Sequence, residues 1–232
     1  MAALSLRRWV NVVYKWLFIY CQVLFANAHL FIVLAMSPRT RGKPDSELLA
    51  ATARVIERMG PHRLTLAEVA KETGLAPATL LQRFGSKRGL LLAVARQGAS
   101  GVREEFARIR VMHPSPLRSL EAVARCMAQM AKTPEALANH LAFLEMDLAD
   151  RDSHRLALTH ARQFQKQIRA LLDQAVRQGE LRKCATAKLA NAVQSMIGGS
   201  LLGWAIHREG KADAWIVRDL DILLRPYRLK SA

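Results

Sequence analysis

Side chains that can form paired hydrogen bonds are concentrated in a short segment near position 80. Gln82 can bond to adenine through two hydrogen bonds, and Arg83 can bond to guanine or to a phosphate. Ala78 and Thr79 precede them, and Ala78 can touch a thymine methyl group. Lys87 follows the segment and can contact a phosphate, which positions a protein without reading sequence. This set of residue types favours recognition of double-stranded DNA.

Two short helices joined by a glycine are predicted to position these side chains. Thr65 can cap a first helix over residues 65–72, and a helix N-terminus also attracts phosphate. Gly74 can adopt the left-handed conformation of a tight turn. Pro77 suits the first turn of a second helix over residues 76–83. The arrangement is a helix-turn-helix, whose second helix enters the major groove.

The helix-turn-helix is part of a longer pattern between Leu48 and Leu92. The pattern consists of Ala51, Val55, Met59, Gly60, Thr65, Val69, Ala70, Gly74, Leu75, Thr79, Leu80, Phe84, Ser86, Lys87, Leu90 and Leu91. It resembles the DNA-binding domain of the TetR family of bacterial regulators. Leu81 departs from the family pattern, because members usually carry at this position a tyrosine that contacts a phosphate. The resemblance implies a homodimer that binds a near-palindromic operator, and a repressor that a small-molecule effector releases.

The rest of the chain is predicted to be helical, so the fold class is all-α. Apolar residues recur at three- and four-residue steps, and no alternating pattern is long enough to build a sheet. Besides the two short helices, we expect helices over residues 45–59, 87–110, 116–131, 134–149, 153–178, 186–208 and 212–225. We therefore expect a three-helix DNA-binding domain over residues 45–92. A helical effector-binding and dimerisation domain is expected over residues 93–230.

Residues 1–36 differ in composition from the rest of the chain. No side chain from Trp16 to Met36 carries a formal charge, and this run is as long as a membrane span. Polar residues interrupt the run. In addition, Arg7 and Arg8 before it would keep its N-terminal end in the cytoplasm, which would place the helix-turn-helix on the other side of the membrane from the DNA. Three interpretations stay open: a translated upstream frame with the true start at Met36, a membrane segment, or a packed extra helix. We do not expect membrane association.

Residues 37–44 are predicted to form a flexible basic arm. Arg39, Arg41 and Lys43 alternate there with prolines and a glycine. Such an arm can follow the DNA backbone or enter a minor groove. The whole chain has 35 lysines and arginines against 19 acidic residues and a formal net charge of +16, which favours a polyanionic partner.

Catalysis, metals and cofactors have no support in the sequence. The sequence has no order of Ser, His and Asp residues that suggests a catalytic triad, and it has no glycine-rich phosphate loop. We therefore expect neither an enzyme nor a cofactor. Three cysteines without regular spacing predict no disulfide and no zinc site, which fits a cytoplasmic protein. The acidic group Glu145, Asp147, Asp150 and Asp152 lacks the spacing of a calcium loop and is interpreted as a solvated turn.

Two sets of residues in the second half are candidates for an effector site and a dimer interface. Met127, Met130, Phe143 and Met146 can line a cavity for a small apolar effector, although an ordinary core has the same spacing. The resemblance places the last two long helices in a four-helix dimer interface. The interface candidates are Ile168, Leu172, Ala175, Gly198, Gly199 and Leu202, and the alternative is packing within one subunit.

Two other functions compete with an effector-controlled repressor. A protein of the same fold can bind DNA and respond to a protein partner. The second is a membrane-associated helical regulator in which residues 1–36 are genuine.

Overall fold

The structure, a computed structural model, describes residues 43–229 and is helical almost throughout this range. Its α-helices are α1 (Asp45–Arg63), α2 (Leu66–Thr73), α3 (Pro77–Phe84), α4 (Lys87–Met112), α5 (Pro116–Ala128), α6 (Pro134–Ala149), α7 (Arg151–Arg177), α8 (Thr186–His207) and α9 (Ala212–Leu224). Short 3-10 helices follow at Gln129–Ala131 and Arg225–Tyr227. The all-α prediction is confirmed for the described residues. The predictions about residues 1–36, Arg39 and Arg41 concern parts of the chain outside this range.

The described residues form two compact units. The first unit contains residues 43–102 together with Glu135–His160, and the second contains Arg103–Pro134 together with residues 161–229. In the first unit the apolar faces of α1 to α4 meet in a core whose Leu48, Ile56, Leu80 and Leu90 have no exposed surface. Burial of such side chains contributes roughly 1.5–3 kcal/mol each, which holds these short helices together. The first unit thus contains the predicted helix-turn-helix.

The first helix is longer than predicted, because the chain turns at Gly60 and continues helically to Arg63. Gly60 has φ 78° and ψ 162°, a conformation that side chains other than glycine rarely adopt. A Cβ at this position would lie only 2.9 Å from Asn139 Oδ1. The Asn139 amide donates a 3.0 Å hydrogen bond to the Glu57 carbonyl. The glycine therefore allows α6 to pack closely against α1 within the first unit.

The second unit is built around α5, α8 and α9. Helix α9 packs against both α8 and α5. The rings of Phe106 and Phe164 meet edge to face with 5.4 Å between centroids. Leu181 and Arg228 form an isolated antiparallel bridge near the end of the described chain. Between residues 43 and 229, no helix combines the length and apolar character that crossing a membrane requires.

Candidate nucleic-acid interface

The beginning and end of α2 follow the predicted capping pattern. Thr65 is the N-cap, and its hydroxyl accepts a 3.2 Å hydrogen bond from the Glu68 N–H. Gly74 ends the helix in the left-handed conformation with φ 69°, and its N–H bonds to the Ala70 carbonyl. The Leu75 N–H bonds to the same carbonyl at 3.1 Å, as in a Schellman turn. These local bonds set the angle between α2 and α3.

Helix α2 is fixed to α1 by a three-residue ion-pair network. Arg54 Nε lies 3.1 Å from Glu72 Oε1, and Arg58 Nη2 lies 3.3 Å from Glu72 Oε2. The hydrogen bond from Arg54 is the main reason that the pKa of Glu72 is lowered. The carboxylate therefore stays ionised at neutral pH and keeps its ion pairs with the two arginines.

Helix α3 presents most of its surface to solvent, and Leu80 is its one buried residue. Ala78, Leu81 and Gln82 are exposed, and Thr79 is half-buried. An α-helix with its side chains is about 10–12 Å across, so the DNA major groove, about 12 Å wide, can admit it. The predicted base-reading side chains Ala78 and Gln82 are thus brought together on an accessible helix.

Of the cationic side chains predicted to contact DNA, the structure describes three, and each has a protein partner. Arg83 Nη1 donates to the Lys43 carbonyl at 2.5 Å and lies 3.3 Å from Asp45 Oδ1. Lys87 Nζ donates to the His62 carbonyl at 2.8 Å, at the C-terminal end of α1. Lys43 itself is exposed and lies 3.1 Å from Glu47 Oε1. Arg83 therefore ties the recognition helix to the start of α1.

A family model described as bacterial regulatory proteins of the tetR family matches residues 48–94. These residues run from α1 through the helix-turn-helix into α4. The chain carries a TetR-family helix-turn-helix domain. TetR-family proteins are DNA-binding transcription regulators, and this chain is accordingly a regulator and not an enzyme.

Relatives of the TetR-family chain include several regulators called BetI. The chain is 26% identical over 153 residues to the HTH-type transcriptional regulator BetI of Agrobacterium fabrum, with 66% of this chain and 72% of that relative covered. It is 38% identical over 64 residues to BetI of Stenotrophomonas maltophilia, with 28% of this chain and 33% of that relative covered.

Solved structures with the same fold include regulators that hold different ligands. A transcriptional regulator from Saccharomonospora viridis in complex with choline has a TM-score of 0.68 at 16% identity, with 81% of this chain and 98% of that chain covered. FadR from Bacillus subtilis in complex with stearoyl-CoA has a TM-score of 0.58 at 14% identity, with 76% and 96% covered. At these identities the likeness establishes the shared fold alone.

The residues predicted to line an effector cavity do not share one unit. Met127 is buried in the second unit, whereas Phe143 is buried and Met146 half-buried in the first. The Met130 side chain lies outside the described part of the chain. Phe143 lies on the inward face of α6, together with Leu137, His140, Leu144 and Asp147.

The residues predicted to form the dimer interface divide into buried and accessible ones. Ile168, Leu172 and Ala175 have no exposed surface in the single chain, so their side chains belong to the subunit core. Gly198 is also buried, whereas Gly199 is exposed and Leu202 is half-buried. The sequence pattern alone could not distinguish the buried residues from the accessible ones, because both sides of α7 and α8 carry small and apolar residues.

The acidic group near residue 150 is only in part the solvated turn that the sequence indicated, because Glu145 and Asp152 are exposed whereas Asp147 is buried. Asp150 Oδ1 accepts hydrogen bonds from the N–H groups of Asp152 and Ser153, at 3.0 and 2.9 Å. Arg88 Nη2 lies 2.7 Å from Asp150 Oδ2 and 2.9 Å from Asp152 Oδ2. The Ser153 backbone bond, followed by Arg88, lowers the pKa of Asp150 to about 2. This carboxylate thus joins α7 to the first turn of α4.

The interpretation of Asp147 as part of a solvated turn is wrong, because this residue is buried. It is 3% exposed, and its Oδ2 atom is buried without a hydrogen-bond partner among residues 43–229. Burial, reinforced by the nearby charge of Asp150, raises the pKa of Asp147 to about 7. The sequence did contain a signal for this burial. Asp147 follows Phe143 by four residues and His140 by seven, and this spacing puts it on the buried face of α6.

Across the described residues, no three His, Cys, Asp or Glu side chains are grouped so that they could hold a metal ion. Cys126 and Cys184 are free thiols. Burial raises the pKa of the Cys126 thiol to about 11, so it is a poor nucleophile at neutral pH.

Proposed function

We propose that the protein is a homodimeric cytoplasmic repressor, which binds a near-palindromic operator through α3 and leaves it when a small-molecule effector binds. The observation that carries the proposal is the exposed face of α3, where Ala78 and Gln82 are available on a helix that fits the major groove. The effector would bind in the helical domain over residues 93–230.

DNA recognition would divide between reading and positioning residues. Gln82 would read one base pair through its amide, with Ala78 and Thr79 beside it. Thr65 at the N-terminus of α2 and Lys87 at the start of α4 would contact phosphates. Arg83 is held by the segment before α1 in this structure, so its contact with DNA requires release from the Lys43 carbonyl.

Dimerisation would use the accessible side of α8. Gly199 and Leu202 lie on this side, and Ile206, one turn further, is 78% exposed. A large apolar side chain so exposed is suited to a partner surface. Two copies related by a two-fold axis would present their α3 helices to successive major grooves, about 34 Å apart.

Control by an effector requires a connection between the ligand and the DNA-binding helices. The S. viridis regulator binds choline and B. subtilis FadR binds stearoyl-CoA, which supports a small-molecule effector for this chain. Helix α6 is bonded to α1 through Asn139 and the Glu57 carbonyl. The effector must bind the released conformation more tightly than the DNA-bound one, since only differential affinity shifts the equilibrium.

The experiment is a selection of bound fragments from genomic DNA, followed by measurement of dissociation constants on the selected site and on random DNA. Gln82→Ala should cost about 1–3 kcal/mol on the selected site and relax its preference at one position. Lys87→Ala should weaken binding to both DNAs and reduce the salt slope by about 1. Lys211→Ala, at an exposed lysine of the second unit, is the control. An equal loss on both DNAs for Gln82→Ala, or a loss confined to the selected site for Lys87→Ala, would contradict these roles.

A further inference from the structure

A groove between α7 and α8 concentrates positive charge within the second unit. It encloses a cavity of about 300 Å³, lined by the middle of α7 and the first two turns of α8. Four of the seven lining residues are cations, and the other three are neutral. The cations are Arg162, Lys166, Arg169 and Lys188. Four cations around one small cavity produce a strongly positive potential, which attracts anions.

The protein itself neutralises little of this charge. Arg169 Nε lies 3.6 Å from Asp173 Oδ2, and this aspartate does not line the cavity. Arg162, Lys166 and Lys188 are exposed and form no ion pair among residues 43–229. Three charged side chains are therefore available to one ligand without breaking a bond within the described chain.

The walls of the groove are fixed to each other, and a helix N-terminus adds to the positive potential. The Thr186 hydroxyl donates a 2.5 Å hydrogen bond to Asp173 Oδ1, which joins the start of α8 to α7. The N-cap of α8, Ala185, has no side chain that bonds to the first N–H groups. Ala187 and Lys188 belong to the first turn of α8, and both line the cavity. The partial positive charge of a helix N-terminus favours an anion at this place.

The groove lies on the side of α8 that is proposed to face a second copy. Gly199 follows Lys188 by eleven residues, and Leu202 follows Asn191 by eleven. Eleven residues make about three helical turns, so each pair lies on one side of the helix. In the dimer, the cations of one copy would lie beside a partner that carries the same charges. Like charges at an interface oppose association.

We propose that this groove binds a multivalent phosphate anion, and that the bound anion strengthens the association of two copies of the chain. The inference rests on the proposed function, because it adds an ionic requirement to the same dimer. Arginine and lysine both bind phosphate oxygens through charge-assisted hydrogen bonds. A cavity of about 300 Å³ is at the small end of ligand pockets, which suits inorganic phosphate or pyrophosphate. An anion that binds the dimer more tightly than the monomer shifts the equilibrium toward the dimer.

The first test is isothermal titration calorimetry of the full chain with inorganic pyrophosphate, in chloride buffer of about 0.15 M ionic strength. The wild type should bind with a dissociation constant below about 1 mM. Arg162→Gln combined with Lys166→Gln, the groove variant, should weaken binding at least about ten-fold. Lys183→Gln combined with Lys211→Gln is the control variant. It removes the same charge from exposed positions outside the groove and should bind as the wild type does.

The second test is sedimentation velocity at several protein concentrations, in pyrophosphate and in chloride at the same ionic strength. The wild type should show a dimer dissociation constant at least about five-fold lower in pyrophosphate. The groove variant should lose this difference. In chloride the groove variant should also dimerise at least as strongly as the wild type, because it carries fewer opposing charges.

Two outcomes would overturn the inference. Equal weakening of pyrophosphate binding by the groove variant and the control variant would show an adventitious ion only. Wild-type dimerisation that is the same in pyrophosphate and in chloride would show that the groove does not act on the dimer.

The inference and the proposed function can fail separately. A wild type that dimerises equally in both salts and binds its selected DNA in chloride would retain the repressor and remove the role of the anion. Dimerisation that responds to pyrophosphate, in a protein that binds no selected fragment, would retain the anion site and remove the repressor. A chain that stays monomeric in both salts would overturn both.

Discussion

Replacement of Asp147 by asparagine should change how the stability of the ligand-free protein depends on pH. The pKa of Asp147 is raised from 3.8 to about 7 in the folded chain, mainly by burial. Between these values the unfolded chain carries an ionised carboxylate, whereas the folded chain must keep a proton on it. The contribution of Asp147 to stability therefore decreases as pH rises from about 4 to about 7, and each pKa unit corresponds to about 1.4 kcal/mol. The full difference amounts to roughly 4 kcal/mol at most.

A buried histidine, His160, makes stability depend on pH in the opposite direction. The effect of Asp147 is therefore measured as the difference between Asp147→Asn and the wild type. Burial lowers the pKa of His160 from 6.5 to about 3, so its folded form stays neutral while the unfolded form takes up a proton. Stability from His160 is present above pH 6.5 and is lost as pH falls toward 3. In the wild type the two trends oppose each other. In Asp147→Asn the contribution of His160 is no longer opposed by residue 147, and the lowered pKa values of Glu72 and Asp150 act in the same direction, so stability should rise with pH through this window.

The assay is urea unfolding followed by circular dichroism at several pH values from 4 to 8, at constant ionic strength. The difference in unfolding free energy between Asp147→Asn and wild type should shift in favour of asparagine as pH rises, and level off above about pH 7. Glu104→Gln, which replaces an exposed acid on α4, should show no such trend. A difference for Asp147→Asn that stays constant within about 0.5 kcal/mol would refute the reasoning. It would mean that the Asp147 carboxylate is already stabilised in the folded chain.

Two further predictions concern the helix-turn-helix. Thr65→Ala removes the acceptor of the Glu68 N–H and should lower the unfolding free energy by about 1 kcal/mol in urea, while Thr65→Ser should retain it. Equal losses in both would show that the cap contributes nothing. Leu81→Tyr introduces a hydroxyl at a side chain that is 50% exposed, and should strengthen binding to selected and random DNA alike by about five-fold, or about 1 kcal/mol. A similar gain for Leu81→Phe in the same binding assay would show that no hydroxyl contact with phosphate is made.

The helix ends could be predicted because local signals define them. Helix α6 begins at Pro134 and ends at Ala149 as expected, and Gly74 forms the left-handed turn after α2. Helix α1 was predicted too short, because the chain forms another helical turn after the glycine. Helix α6 contacts α1 next to this turn, through the hydrogen bond from Asn139 to the Glu57 carbonyl. The exposure of α3 could be predicted from its sequence pattern, since a single apolar face is enough to orient a short helix.

The partners of charged side chains could not be predicted in the same way. Arg83 was interpreted as a DNA contact, yet it bonds to the Lys43 carbonyl, forty positions earlier in the chain. Asp150 was assigned to a solvated turn, yet it pairs with Arg88, which is 62 positions away. No periodicity connects residues at such separations, because these bonds depend on how helices meet.

By itself, the sequence determined the helices, the helix-turn-helix and the family, since caps, turns and apolar periodicity act within a few residues of each other. Only the tertiary structure decided which residues of those helices are accessible. It placed Ile168 and Leu172 in the core of one chain, and it buried Asp147 while leaving Glu145, two positions earlier, in solvent. The physical reason is that burial depends on which faces pack together, and packing joins segments that are distant in the chain.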